Sequence, residues 1–274
     1  MGSIRFETTC HDGNANSSVM KTPFLPTLSI ELVHFETIYP QSRGRRMYVQ
    51  ADFLEKEITK SIEDSPWKAE RIMAMIARNN LAVGSICEIG CGAGEILNQL
   101  HAKMPGDIKF AGYEISPKAY QFCTLREKDR LSFQMADLSE IPDDSFDMIL
   151  AIDIFEQIED CYGFLRGLRE KATYKMFHIP LDLSARSLMR VSPILEARRQ
   201  VGRLHHFTKE TALAALEDCG YHVIDYFYTG GVTDKKSLAL KAKISLIPQK
   251  IFFKINQDLA VRTVGGYSLM VLGK

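Results

Sequence analysis

Apolar residues along this chain repeat with two periods. Short runs at 85–89, 108–114, 131–135, 146–152 and 174–179 read as strands. Between them, residues 95–103, 117–128 and 161–171 carry apolar positions at helical spacing. Ser116 and Thr208 stand where a helix cap is needed. The spacing predicts a helix over 49–62, with Phe53, Leu54, Ile58 and Ile62 near one face. A second helix is expected to start at Ser65-Pro66 and run to about Arg78, with Ile72, Met75 and Ile76 facing inward, because proline suits a first helical position. Helices over 187–199 and 209–219 follow, then a strand at 221–228 and a last strand at 266–272. Regular alternation of strand and helix predicts an α/β fold, a parallel sheet with helices on both faces.

The organisation expected is an N-terminal arm and helical cap over 1–64 and a main domain over 65–274. Residues 229–265 form an insertion in that domain, helical around Pro248 and placed to cover a substrate. The arm is rich in Gly, Asn, Ser and Pro at its start. Lys and Arg number 34 and Asp and Glu 34, so the chain is neutral overall. That argues against a dedicated nucleic-acid binder. Six cysteines lack C-x2-C spacing, and no run of 18 apolar residues occurs. The expectation is a cytoplasmic protein with reduced thiols and no metal site; Cys10-His11-Asp12 is too isolated to count as one.

The stretch Glu88-Ile89-Gly90-Cys91-Gly92-Ala93-Gly94 joins the first strand to a helix. Glycines there let the backbone turn sharply and approach a ligand. The spacing is G-x-G-x-G, whereas a dinucleotide site wants G-x-G-x-x-G. A carboxylate at Glu88 would repel a pyrophosphate and suits a ligand carrying an ammonium or sulfonium. This turn resembles motif I of the class I S-adenosylmethionine-dependent methyltransferases. Glu114, at the end of the second strand, is an acid placed to accept ribose hydroxyl protons. Asp137 follows the third strand, and Asp144–Ile158 resembles the family's motif IV, with Gln157 where histidine is common.

The resemblance covers residues 65–228 and the closing strand. It implies a Rossmann-like, doubly wound sheet of seven mostly parallel strands, the last antiparallel and inserted between five and six. The implied cofactor is S-adenosyl-L-methionine, held by Glu88, Gly90, Cys91, Gly92, Gly94, Glu114, Ile115, Asp137, Leu138, Asp153 and Ile154. A proton-bearing acceptor would benefit from a base, and histidine is the natural residue. His178, His205 and His206 are the candidates, with no choice among them.

The acceptor is expected to be a small or medium-sized molecule methylated on O or N. Arginines at 186, 190, 198, 199 and 203 suit an anionic group. The basic, apolar insertion suits a sugar conjugate or lipid-like acceptor, with contact to a membrane surface a less favoured role. Nucleic acid is not an expected partner. A nicotinamide-dependent oxidoreductase and a non-catalytic cofactor-binding scaffold are the alternatives.

Overall fold

The computed structural model describes residues 51–143, 145–230 and 247–274. Most of the basic insertion (231–246) and the arm up to residue 50 lie outside the described residues. Seven strands form one sheet: β1 Ser85–Ile89, β2 Lys109–Tyr113, β3 Leu131–Gln134, β4 Phe146–Ile152, β5 Ala172–Leu181, β6 Val223–Gly230 and β7 Tyr267–Gly273. Their order is β3-β2-β1-β4-β5-β7-β6. β1 through β5 pair in parallel, while β7 runs antiparallel to both β5 and β6. The order reverses at β1, between β2 and β4, so a crevice opens beyond the carboxyl end of β1.

The helices are α1 Ala51–Arg78, α2 Glu95–Lys103, α3 Pro117–Thr124, α4 Cys161–Leu168, α5 Ala185–Arg190, α6 Ser192–Val201, α7 Lys209–Asp218, α8 Ile247–Ile255 and α9 Gln257–Val264. They cover both sheet faces. Successive residues of a strand point to opposite faces, and β4 shows the result. Met148, Leu150 and Ile152 enter one core with Ile72 of α1 and Leu97 of α2, while Ile149 and Ala151 enter the other with Leu165 of α4 and Leu216 of α7. A strand buried on both faces reads as an unbroken apolar run, which is how β4 appears in the sequence.

Two expectations fail locally. The break at Ser65-Pro66 does not occur, and α1 runs through it. An internal proline costs a helix about 3 kcal/mol. Here Ser65 Oγ donates to Ser61 O at 2.7 Å, and Ala69, Ile72 and Met75 are fully buried beyond it. Burial of this face offsets the lost hydrogen bond. The helix expected over 187–199 is split in two. Val191 takes φ 60° between α5 and α6, a left-handed conformation that a β-branched residue rarely adopts.

Candidate active site

After β1 the chain turns back on itself. Gly90 N and Cys91 N both donate to Tyr113 O, at 2.8 and 3.1 Å, and Gly94 N donates to Cys91 O at 2.8 Å. Gly90, Gly92 and Gly94 all have positive φ, at 67°, 57° and 74°. Their packing separates them. A Cβ on Gly90 would strike Ile154 of the loop after β4, and one on Gly94 would lie 2.5 Å from the Phe133 ring. A Cβ on Gly92 would meet nothing within 4 Å. Gly90 and Gly94 are therefore glycines because the protein packs against them. Gly92 borders open space in the crevice.

Glu114 closes the turn from β2. Its Oε2 accepts from Gly92 N at 2.9 Å and its Oε1 from Ser116 N at 2.7 Å. Burial raises its pKa above the usual carboxylate range, and the backbone donors at Ser116, Gly92 and Ile115 offset part of that. Each oxygen keeps a lone pair for a further donor. Ile115 beside it is about half exposed. Cys91 is buried, its Sγ 3.7 Å from Cys123 Sγ.

Glu88 is buried at the end of β1, and its Oε2 has no hydrogen-bond partner. Burial pushes its pKa well up, with the charge of Lys68 only partly opposing. A buried acid without a partner is costly. A cationic ligand in the crevice would relieve that cost, so the residues present fit an ammonium- or sulfonium-bearing cofactor. Asp137 lies further along the carboxyl edge. Its Oδ1 accepts from Ser139 N at 3.0 Å, and Glu140 Oε1 accepts from Asp137 N at 2.8 Å. One carboxylate oxygen is left over beside the half-buried Leu138.

Asp153 follows β4 with φ 54°. Lys68 Nζ lies 2.8 Å from its Oδ2, and His178 Nδ1 lies 2.6 Å from its Oδ1. Although burial opposes ionisation, the charges of His178 and Lys68 hold this carboxyl well below its ordinary range. His178 Nε2 lies 2.9 Å from the hydroxyl of Thr229, so both ring nitrogens are engaged. The indole of Trp67 meets the imidazole edge-on, with centroids 5.9 Å apart. This network ties α1 to β4, β5 and β6.

The other two histidines sit apart from it. His205 Nε2 bonds Ile158 O at 2.9 Å. His206 Nδ1 lies 3.2 Å from Asp182 Oδ2, just past the carboxyl end of β5. Arg203 Nη1 is held by both oxygens of Asp182, at 2.9 and 3.0 Å. Asp182 and Glu156 lie at the carboxyl ends of β5 and β4, and the sequence does not single them out. Glu156 stands on the turn after β4, where its carbonyl accepts from Leu204 N and His205 N at 2.8 and 2.9 Å. Its side chain is buried, and neither carboxyl oxygen has a hydrogen-bond partner. Arg203 Nε is 3.9 Å away, too far for a hydrogen bond. Burial, reinforced by repulsion from Asp153, therefore outweighs Arg203 and pushes the Glu156 pKa up to about 8. Motif spacing flags position 156 only as part of a longer pattern. Asp182 carries no local signal.

Among the described residues no cluster of His, Cys, Asp and Glu could hold a metal, and no helix is long and apolar enough to cross a membrane. The model of a methyltransferase domain matches residues 82–228, more than half the chain. No curated protein matches it. Among solved structures, it is similar to a chain in the complex between the Haloferax volcanii Trm112 methyltransferase activator and a methyltransferase. That match has a TM-score of 0.58 and 18% identity, and it covers 82% of this chain and 98% of the other. It is also similar to magnesium protoporphyrin IX methyltransferase from Synechocystis PCC 6803, solved with bound SAH, at a TM-score of 0.52 and 16% identity, covering 82% of this chain and 88% of that one. At such identities the likeness is one of fold. The oxidoreductase alternative falls with the family match, and this chain belongs to the methyltransferase domain family, with the class I S-adenosylmethionine-dependent fold.

Proposed function

We propose that the protein methylates an oxygen or nitrogen atom of a small or medium-sized acceptor, with His206 as the base. The observation that carries this reading is the Asp182–His206 pair beyond β5. A carboxylate on Nδ1 keeps the proton on that atom and leaves Nε2 as the basic nitrogen. His178 has both nitrogens occupied, and His205 spends its Nε2 on a carbonyl. Among the three candidates, His206 alone combines an orienting acid with an unengaged second nitrogen.

S-adenosylmethionine, when bound, supplies an electrophilic methyl group on a sulfonium. Glu88 would offer its carboxylate to the positive charge, Gly92 leaves the backbone open, and Glu114 would accept from the ribose hydroxyls. Asp137 and Leu138 would hold the adenine end, and Ile115 would pack beside the ribose. Asp153 and Ile154 shape the floor between β1 and β4. His206 Nε2 would take the proton of the acceptor O–H or N–H as its bond to the methyl carbon forms and the carbon–sulfur bond breaks, the electron pair leaving with the neutral thioether, and Asp182 would stabilise the resulting imidazolium. The chain mainly aligns reactants and excludes water. The exposed arginines of α5 and α6 favour an anionic or lipid-like acceptor, such as a sugar conjugate.

Calorimetry with S-adenosylhomocysteine and with NAD tests the cofactor, and only the first should bind. His206→Ala should lower kcat by about 100-fold or more while S-adenosylhomocysteine affinity stays unchanged. An unaltered kcat removes His206 from the chemistry. Cofactor binding without methyl transfer to any acceptor would favour a scaffold.

A further inference from the structure

We propose that the surface formed by α5, α6, α8 and α9 docks on an anionic lipid bilayer, and that the acceptor is an amphiphile met there. The second half rests on the methyl-transfer reading; the docking itself does not. The surface is continuous. α5 passes into α6 through Val191, α9 packs on α5, and α8 packs on α9. Gly265, ending α9, approaches Ser184 so closely that a Cβ would lie 2.5 Å from its hydroxyl.

This surface concentrates exposed apolar bulk. Leu188, Met189, Val191 and Leu195 are exposed on α5, α6 and the turn between them, with Met189 at 88%. Ile251 and Ile255 are exposed on α8, with Ile255 at 78%. Apolar residues exposed together, rather than singly, mark an interaction surface. Val191 adds an independent sign, since a strained, β-branched residue is held facing solvent at the apex of the α5–α6 corner.

The same helices carry uncompensated positive charge. Arg186, Arg190, Arg198, Arg199, Lys250 and Lys254 are exposed, and none has an acidic partner among the described residues. The four helices hold two acids. Glu196 bonds only the neutral Gln200 at 2.5 Å, so its charge offsets one of these six cations, while Asp258 is neutralised by Lys209 at 2.6 Å, which leaves the surface with excess positive charge. A second copy of the chain is a poor occupant, because a two-fold contact would set these cations against their equivalents. Apolar bulk mixed with unpaired Lys and Arg is the composition that lies in an anionic membrane interface. α5 begins just past Asp182, so docking sets the acceptor side of the sheet at the lipid surface.

Flotation of the full chain with vesicles tests this. Binding is expected to phosphatidylcholine vesicles containing phosphatidylglycerol, to be absent with phosphatidylcholine alone, and to weaken in high salt. The double variants Met189→Glu/Ile255→Glu and Arg198→Glu/Arg199→Glu should each lower the partition coefficient by about tenfold or more. Their melting temperatures and S-adenosylhomocysteine affinity should match wild type, which separates docking from misfolding. Equal binding to neutral vesicles, no binding to either, or unchanged binding by both variants overturns the proposal. So does a dimer, seen by light scattering without lipid, that the Met189/Ile255 variant disperses. Vesicle binding with no cofactor affinity would keep the docking and sink the methyl-transfer reading instead.

Discussion

Replacing Glu156 by Gln should stabilise the protein increasingly as pH rises. The carboxyl is 1% exposed, and its pKa is pushed up to about 8 from an ordinary 4.5. Between those values the folded chain holds a proton that the unfolded chain releases. Stability therefore falls with rising pH across that window. Each pH unit is about 1.4 kcal/mol, so wild type should lose about 3 kcal/mol relative to Glu156→Gln between pH 5.5 and 7.5. Glutamine has nearly the same shape as the protonated acid, so packing changes little. Titrating groups that do not interact with Glu156 are common to both proteins and cancel in the difference. Guanidinium unfolding at pH 5.5, 6.5, 7.5 and 8.5, with m-values checked for equality, measures the gap. It should grow through the first three points and flatten beyond pH 8. A constant gap would mean that Glu156 is already ionised at low pH, stabilised by Arg203, and that burial does not dominate.

Asp153→Asn should cost about 3 kcal/mol, because it leaves Lys68 without its buried partner. The sign for pH is opposite to that of Glu156. The depressed Asp153 pKa contributes stability above the unfolded carboxylate pKa and loses it as pH falls, so the variant should lack part of the wild-type acid limb. Gly92→Ala should weaken S-adenosylhomocysteine binding about tenfold or more, while stability falls only by the roughly 1 kcal/mol that a Cβ costs at positive φ, since that Cβ meets nothing within 4 Å. Gly94→Ala should instead destabilise the fold by about 2 kcal/mol through the clash with Phe133; similar melting curves for the two would refute the division of roles. Glu114→Ala should weaken S-adenosylhomocysteine by about 1–3 kcal/mol, the scale of a lost charged hydrogen bond, and an unchanged dissociation constant in calorimetry would detach it from the ribose.

Local signals in this chain were sufficient for its repeating units. The bounds of β1, α2 and β4 were legible because a strand buried on both faces, or a helix after a glycine turn, writes its period into consecutive residues. Motif spacing placed Glu88, Gly92 and Glu114 around one crevice, because all three lie near the carboxyl ends of β1 and β2. The place of β7 between β5 and β6 came from family likeness, since periodicity carries no strand order. Tertiary structure decided the rest. α1 survives Pro66 because its inner face is buried, a reward that no window around residue 66 contains. Lys68, Asp153 and His178 meet only when α1 crosses the ends of β4 and β5. Asp182, Arg203 and His206 meet where the chain returns after two helices. Charges so far apart in sequence acquire partners, or lose water as Glu156 does, only through packing, and packing fixes which of them can bind or move a proton.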